Sequence, residues 1–264
     1  MPKLDSTRYT VLFATAVSVV CALLVSTAAV GLRDRQESNA ELYRRKNVLL
    51  AAGLAKADEP LSREAMQALF DRRIRVRAID LESGRWMSDE RFEVKNYDQR
   101  KARNDPARSR AAGPNDAQVA RVPEVGTIYV VESPAGQPEQ YVLPIEGMGM
   151  WGTLYGFLSM DRDGNTVRGL TFYEQKETPG LGGEISNPGW QALWVGRKAY
   201  DENFVPRLAV VKGQAGPPAQ DPHHVDGLSG ATITSNGVSR VVRFWLSEDG
   251  YRPFLKSLAN GAVS

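Results

Sequence analysis

The sequence contains few of the residues that build metal centres or disulfides. It has one cysteine, Cys21, and two histidines. An internal disulfide and a cysteine-based zinc or iron–sulfur site are therefore excluded, and a histidine-rich metal site is not expected. Any redox role must accordingly rest on an organic cofactor.

Strong charge of one sign is also absent, with 33 Lys and Arg against 31 Asp and Glu. A dedicated nucleic-acid-binding protein is normally far more basic, so nucleic acid is not an expected partner. Hydrophobic residues make up 42% of the chain. This fraction excludes a disordered tail and a polytopic membrane protein, and it is typical of a globular domain.

The apolar residues are concentrated near the N-terminus, where no charged residue occurs from Thr10 to Leu32. At about 1.5 Å per residue, a helix of this length reaches roughly 35 Å, enough to cross a hydrocarbon core of about 30 Å. The apolar core of a cleaved signal peptide is shorter, roughly 7–15 residues. We therefore predict an uncleaved transmembrane helix over 10–32, whose flanking charges do not decide its orientation.

The remaining sequence predicts an α+β fold, in which the single transmembrane helix is followed by a largely antiparallel sheet with packed helices. A helical neck is predicted over 33–57 and ended by Pro60, and Ser62 is placed to cap a second helix that ends near Arg72. Apolar spacing over 235–246 predicts an amphipathic helix against the sheet. Strands are predicted at 74–79, 128–132, 141–145, 154–160, 166–173 and 208–211.

Two polar segments are interpreted as loops. Residues 98–121 are rich in arginine, but aspartates interrupt the basic run and no aromatic residue is interleaved, so we interpret this segment as a solvated surface loop. His223 and His224 are interpreted as loop residues, because adjacent histidines rarely coordinate one ion and no further ligands are apparent.

The segment Asp226–Gly237 (DGLSGATITSNG) leads into the predicted amphipathic helix. A helix N-terminus offers unpaired N–H groups and partial positive charge, which stabilise a bound phosphate. The alternative is an ordinary turn in which Thr234 or Ser235 caps the helix. The segment lacks the lysine of a Walker A loop and the GxGxxG pattern of a dinucleotide site.

Two further glycine-bearing segments present large apolar side chains. ETPGLGGE, residues 177–184, displays Leu181 at the tip of a turn, either as a plain surface loop or as a lid for a flat aromatic ligand. EGMGMWG, residues 146–152, is either a buried bend around Trp151 or part of a binding site.

These motifs together resemble the family of C subunits of Na⁺-translocating NADH:quinone oxidoreductases. The resemblance rests on SGAT (229–232), ETPGLGGEI (177–185), NPGW (187–190) and WVG (194–196), together with the N-terminal anchor. It covers nearly the whole chain, in order. The G subunit of the RNF electron-transport complex shares SGAT and ETPGLG, but the Gly183-Glu184 pair and the NPGW continuation look more like the quinone-reductase protein.

The resemblance implies one FMN, joined through its phosphate to Thr232 by a separate flavin transferase that uses FAD and releases AMP. Leu181 and nearby backbone are expected to pack on the isoalloxazine ring. No catalytic residue and no metal ligand is expected in this chain. The other cofactor-binding residues expected are Asp226, Ser229, Gly230, Ala231, Thr234, Glu177, Thr178, Gly182 and Trp151.

The resemblance also implies a role and a location. In this family electrons pass from NADH and FAD on the F subunit, through an iron–sulfur centre in the D and E subunits, to this FMN. They continue to the FMN of the B subunit and to quinone, coupled to Na⁺ translocation in a complex that also contains an A subunit. In a bacterial inner membrane, the implied layout is a cytoplasmic segment (1–9), the membrane helix (10–32), the neck (33–57) and a periplasmic covalent-FMN domain (58–264). The alternative from another class is a non-redox anchored sensor or binding ectodomain, in which SGAT merely caps a helix.

Overall fold

A computed structural model describes residues 6–59, 61–88 and 92–261. It divides into two units, one up to Tyr43 and one from Arg44 onward. The helices are α1 (Thr7–Ala51), α2 (Arg63–Arg73), α3 (Gln99–Asn104), α4 (Pro188–Ala192), α5 (Thr232–Trp245) and α6 (Arg252–Ala259), with 3₁₀ helices at Val94–Asn96 and Gly182–Ser186. The strands are β1 (Ile74–Asp80), β2 (Ser109–Ala111), β3 (Arg121–Pro123), β4 (Val125–Glu132), β5 (Pro138–Met148), β6 (Thr153–Asp161), β7 (Val167–Glu174), β8 (Ala209–Val210) and β9 (His224–Val225).

Helix α1 contains all of residues 10–32, which are helical as predicted. Among the described residues it is the one helix long and apolar enough to cross a membrane. Its most apolar 18-residue window has a mean hydropathy of 2.3, and none of that window is buried within the protein.

The C-terminal end of α1 differs from the prediction, because the helix stops at Ala51 and does not continue to residue 57. Gly53 adopts a φ of +68°, its N–H donates to the carbonyl of Leu50 (3.0 Å), and the N–H of Leu54 donates to that of Leu49 (2.9 Å). This pair of bonds is a Schellman motif, which ends a helix without proline. Pro60, the predicted terminator, lies outside the described residues.

The predicted strands from residue 74 to 173 form one antiparallel five-stranded sheet in the order β1-β4-β5-β6-β7. The predicted strand at 208–211 is reduced to β8, which pairs in parallel with β9. The interpretation of His224 as a loop residue is therefore wrong, because it lies in this short strand. Ser62 caps α2 as predicted, accepting a hydrogen bond from the N–H of Ala65 (3.1 Å).

Both faces of the sheet are buried, because apolar residues on each strand alternate between two clusters. On one face, Leu143 belongs to the main core with Val241 and Trp245 of α5. On the other face, Val142 packs in a cluster with Leu49 of α1. The predicted amphipathic helix is thereby confirmed, and its N-terminus begins three residues earlier than Ser235, at Thr232.

The interpretation of residues 98–121 as a solvated loop is wrong. Asp98 caps α3 by accepting from the N–H groups of Arg100 (2.9 Å) and Lys101 (3.2 Å), and β2 pairs with β3. Arg103 forms an ion pair with the buried carboxylate of Glu146. Basic residues of this segment are thus held by carboxylates distant in sequence, which a local charge pattern does not reveal.

Candidate functional site

The fold brings the three glycine-bearing segments together. Residues 149–152 form the turn between β5 and β6, where the N–H of Gly149 donates to the carbonyl of Gly152 (2.9 Å). A Cβ added to Gly237 of α5 would lie 3.1 Å from Cα of Gly149, so helix and turn are in backbone contact. A Cβ added to Gly182 would lie 2.4 Å from Oγ1 of Thr234. These glycines permit an approach that a side chain would block.

Glu177 joins the three segments through hydrogen bonds. Its carboxylate is buried, with the residue only 4% exposed. Oε1 accepts from the backbone N–H groups of Met150 and Trp151, each at 3.0 Å. Oε2 accepts a short hydrogen bond from the hydroxyl of Thr234. One side chain therefore fixes the β5–β6 turn and the first turn of α5 relative to residues 177–183.

Helix α5 begins at Thr232 without a side-chain cap. Its N-cap residue is Ala231, and the first turn contains no acidic residue. The alternative in which Thr234 or Ser235 caps the helix is wrong, because Thr234 donates to Glu177 and Ser235 accepts from the N–H of Leu228 (3.2 Å). The N–H groups at this end and the positive end of the helix dipole remain available to an anion.

The two threonines of the first turn of α5 differ in accessibility. Thr232 is exposed, whereas Thr234 is 1% exposed. Ser229 and Gly230, just before the helix, are also exposed, and Gly230 adopts a φ of +69°. Of the two threonines in this turn, Thr232 is therefore the one that a ligand or a modifying enzyme can reach.

Large apolar side chains are exposed on the same segments. Leu181 is 44% exposed, and its Cδ2 lies 3.0 Å from the position that a Cβ on Gly230 would take. Trp151 is 61% exposed and Met150 is 40% exposed. The interpretation of the Trp151 segment as a buried bend is thus wrong, while the predicted display of Leu181 is confirmed. Exposed apolar side chains with a few polar groups are typical of a ligand site.

Two expected pocket residues have other contacts. The Oδ1 atom of Asp226 accepts from the N–H of Ala215 (2.9 Å), and its carbonyl accepts from the indole of Trp190 (2.8 Å). Thr178 is exposed, and its carbonyl accepts from the N–H groups of Leu181 (3.1 Å) and Gly183 (2.9 Å). Asp226 and Thr178 therefore shape the loops that carry the site.

The two histidines form hydrogen bonds with residues outside the three glycine-bearing segments. Nδ1 of His223 lies 2.8 Å from the carbonyl of Lys198, and Nδ1 of His224 lies 2.7 Å from Oδ1 of Asp221. Within the described part of the chain, no group of three or more His, Cys, Asp or Glu side chains is arranged to hold a metal ion.

Met150 is a further site residue, absent from the residues expected to bind the cofactor. It contributes a backbone N–H to Glu177 and an exposed side chain beside Trp151 in the chain. Its position between two glycines, Gly149 and Gly152, was the available signal.

Residues 149–247, which contain all of these site elements, match the FMN-binding domain family. Fold and site together define the class of protein: an FMN-binding α+β domain that follows an N-terminal helix apolar enough to cross a membrane.

Whole-chain similarity is more specific. The chain is 42% identical to the C subunit of the Na⁺-translocating NADH-quinone reductase of Vibrio anguillarum over 98% of both chains. It is also 42% identical to that of Pseudomonas aeruginosa over 99% of both. Among solved structures, NqrC of Shewanella oneidensis is similar with a TM-score of 0.75 and 29% identity, covering 84% of this chain and 99% of that one.

The chain belongs to the NqrC family, the C subunits of Na⁺-translocating NADH-quinone reductases. The preference for this family over the G subunit of the RNF complex is thereby confirmed.

Proposed function

We propose that this chain is the C subunit of a Na⁺-translocating NADH-quinone reductase and carries one FMN as a phosphoester of Thr232. The observation that carries the proposal is the contrast at the start of α5 between Thr232, which is exposed, and Thr234, which is buried and donates its hydroxyl to Glu177. FMN, when bound, supplies the redox chemistry, and this chain supplies binding, orientation and electrostatics.

The residues present fit such a group. A phosphate on Thr232 adjoins the uncapped N-terminus of α5, whose N–H groups and dipole stabilise negative charge. Leu181 beside Gly230, and Trp151 on the β5–β6 turn, offer apolar surface to a flat ring. Covalent attachment prevents loss of the cofactor from so open a site.

The attachment reaction requires only an accessible hydroxyl from this chain. The oxygen of Thr232 attacks the FMN phosphorus of FAD, a new P–O bond forms, and the pyrophosphate bond breaks. AMP leaves with the bridging oxygen, and the hydroxyl proton is released. We propose that a separate FAD-dependent flavin transferase catalyses this step.

In the assembled complex we propose that the chain is a one-electron relay. Electrons would come from the membrane iron–sulfur centre of the D and E subunits, after NADH oxidation on the F subunit, and pass toward the flavin of the B subunit and quinone. The A subunit completes the set of partners. Release of free energy along this route is coupled to Na⁺ translocation, and this chain needs no independent catalytic site.

We further propose that residues 10–32 of α1 anchor the chain in the lipid bilayer of a bacterial inner membrane. Residues 1–9 are then cytoplasmic, residues 33–57 form the neck, and residues 58–264 form the periplasmic FMN domain. The apolar window of α1, none of it buried within the protein, supports this arrangement.

The proposal is tested by flavin attachment to the full chain. The wild type, Thr232→Val and Thr234→Val are each co-expressed with an active FAD-dependent flavin transferase, and denatured samples are viewed under ultraviolet light after electrophoresis. We expect a fluorescent band for the wild type and Thr234→Val and none for Thr232→Val. Absence of a band from the wild type would contradict covalent attachment of the flavin.

A further inference from the structure

We propose that Glu177 is a positioning residue of the site and that its unpaired negative charge lowers the reduction potential of the flavin held on Thr232. The inference has two parts. The electrostatic arm, which concerns the reduction potential of the flavin, rests on the proposed function. The positioning arm concerns hydrogen bonds that exist without a ligand, so it rests on this chain alone.

The carboxylate of Glu177 is surrounded by neutral donors. Its three hydrogen-bond donors are two backbone N–H groups, from Met150 and Trp151, and the hydroxyl of Thr234. Across residues 6–59, 61–88 and 92–261, none of the ion pairs involves Glu177. The adjacent Lys176 is exposed to solvent. The charge is therefore satisfied by hydrogen bonds and not neutralised by a cation.

The site is built around this carboxylate. A Cβ on Gly149 would lie 2.6 Å from Oε1, and a Cβ on Gly182 would lie 3.0 Å from Oε2. Only glycine at both positions leaves room for the buried carboxylate in this place. The two glycine segments and the acidic residue thus form one arrangement, which a surface loop with an incidental glutamate would not need.

Glu177 positions the site through the hydrogen bonds that its two carboxylate oxygens accept. Oε1 fixes the backbone of Trp151, and Oε2 fixes Thr234, two residues beyond the attachment site Thr232. The β5–β6 turn and the N-terminal end of α5 are therefore tied to the same side chain. The hydroxyl of Thr234 is committed as a donor to Glu177, which leaves Thr232 as the accessible threonine of this turn.

The electrostatic effect follows from burial. A charge 4% exposed is weakly screened by solvent and salt. Adding an electron to a flavin nearby places negative charge in the field of this carboxylate, so reduction is less favourable than beside a neutral side chain. The reduction potential is therefore lower than it would be without the charge.

Glu177→Gln separates charge from shape. Its amide oxygen can accept from both N–H groups, and its amide nitrogen can donate to Oγ1 of Thr234. The matched control is Glu184→Gln. It removes a half-buried carboxylate of the same loop, whose Oε2 accepts from the side chain of Asn187 (2.8 Å). In spectroelectrochemical titration of the flavin-loaded full chain, we expect Glu177→Gln to have a more positive potential than the wild type and than Glu184→Gln.

A potential for Glu177→Gln equal to that of Glu184→Gln overturns the electrostatic arm. If attachment to Glu177→Gln is incomplete, the measurement is still decisive, because only chains that carry flavin contribute to the signal. A wild-type chain that takes no flavin contradicts the proposed function instead, and it leaves the second experiment as the test of Glu177.

The second experiment uses chains that carry no flavin, in a Thr232→Val background. Amide hydrogen exchange is measured at Met150 and Trp151 for Glu177, Glu177→Gln and Glu177→Ala. Loss of the acceptor in Glu177→Ala is expected to speed exchange about tenfold or more at both amides, and glutamine is expected to restore protection. Unchanged protection in Glu177→Ala overturns the positioning arm.

Discussion

Replacing Gly182 by alanine tests whether the contact between residues 177–183 and α5 is as close as the structure has it. The added Cβ would lie 2.4 Å from Oγ1 of Thr234 and 3.0 Å from Oε2 of Glu177, both below ordinary van der Waals distance. Displacing the side chain of Thr234 costs free energy, because this residue is 1% exposed, lies in α5 and donates its hydroxyl to Glu177. The variant must therefore break this hydrogen bond or displace the loop.

The magnitude follows from overpacking. Forcing an extra carbon into a filled site costs about 1–3 kcal/mol, and alanine returns about 0.4–1 kcal/mol by restricting the unfolded chain. The net loss is about 1.3 kcal/mol, which for a domain of this size lowers the melting temperature by about 3–5 °C.

The assay is thermal unfolding of the full chain in detergent, followed by tryptophan fluorescence. Gly152→Ala is the matched control, because the three atoms nearest to its Cβ all belong to the flexible side chain of Lys176, the closest at 3.2 Å. We expect Gly152→Ala to unfold close to the wild type. Equal melting temperatures for Gly182→Ala, Gly152→Ala and the wild type would refute the close contact at the site.

Three further results are expected. Leu181→Ala should leave flavin attached but shift its potential or the stability of its semiquinone, and an unchanged redox titration would remove Leu181 from the site. Burial raises the pKa of Glu146 above its usual 4.5, although Arg103 opposes the shift. The folded state therefore binds the proton more tightly than the unfolded state. The free energy of unfolding of the wild type relative to that of Glu146→Gln should consequently fall as the pH rises above about 4.5. A difference in the free energy of unfolding by urea that stays constant with pH would contradict this. A chain that begins at Arg33 should leave the membrane fraction that retains the full chain, and its continued sedimentation with membranes would contradict the anchor.

The sheet and its covering helix were predictable because their signals are local. Alternation along 74–79 gives β1, and the spacing of Val238, Val241, Val242 and Trp245 gives α5. The end of α1 is also encoded locally, in the positive φ of Gly53. A proline is the more conspicuous helix terminator in a sequence, which is why Pro60 was predicted to end the neck.

The junction at Glu177 was not predictable from local pattern. Its three donors lie 26, 27 and 57 residues away in sequence. The structured segment 98–121 shows the same limit, since Arg103 pairs with a carboxylate 43 residues away and Arg110 with one 139 residues away. Sequence motifs indicated which segments matter, whereas the contacts that organise them depend on the fold.

The central claim is that the flavin is carried by Thr232, and the most direct test is to locate the modification on the matured full chain. Protease fragments that contain residues 226–237 are sequenced by tandem mass spectrometry after maturation with the flavin transferase. The account predicts a flavin phosphate on Thr232 and an unmodified Thr234. A flavin phosphate on Thr234, or an unmodified fragment in a sample shown to contain active transferase, would contradict it.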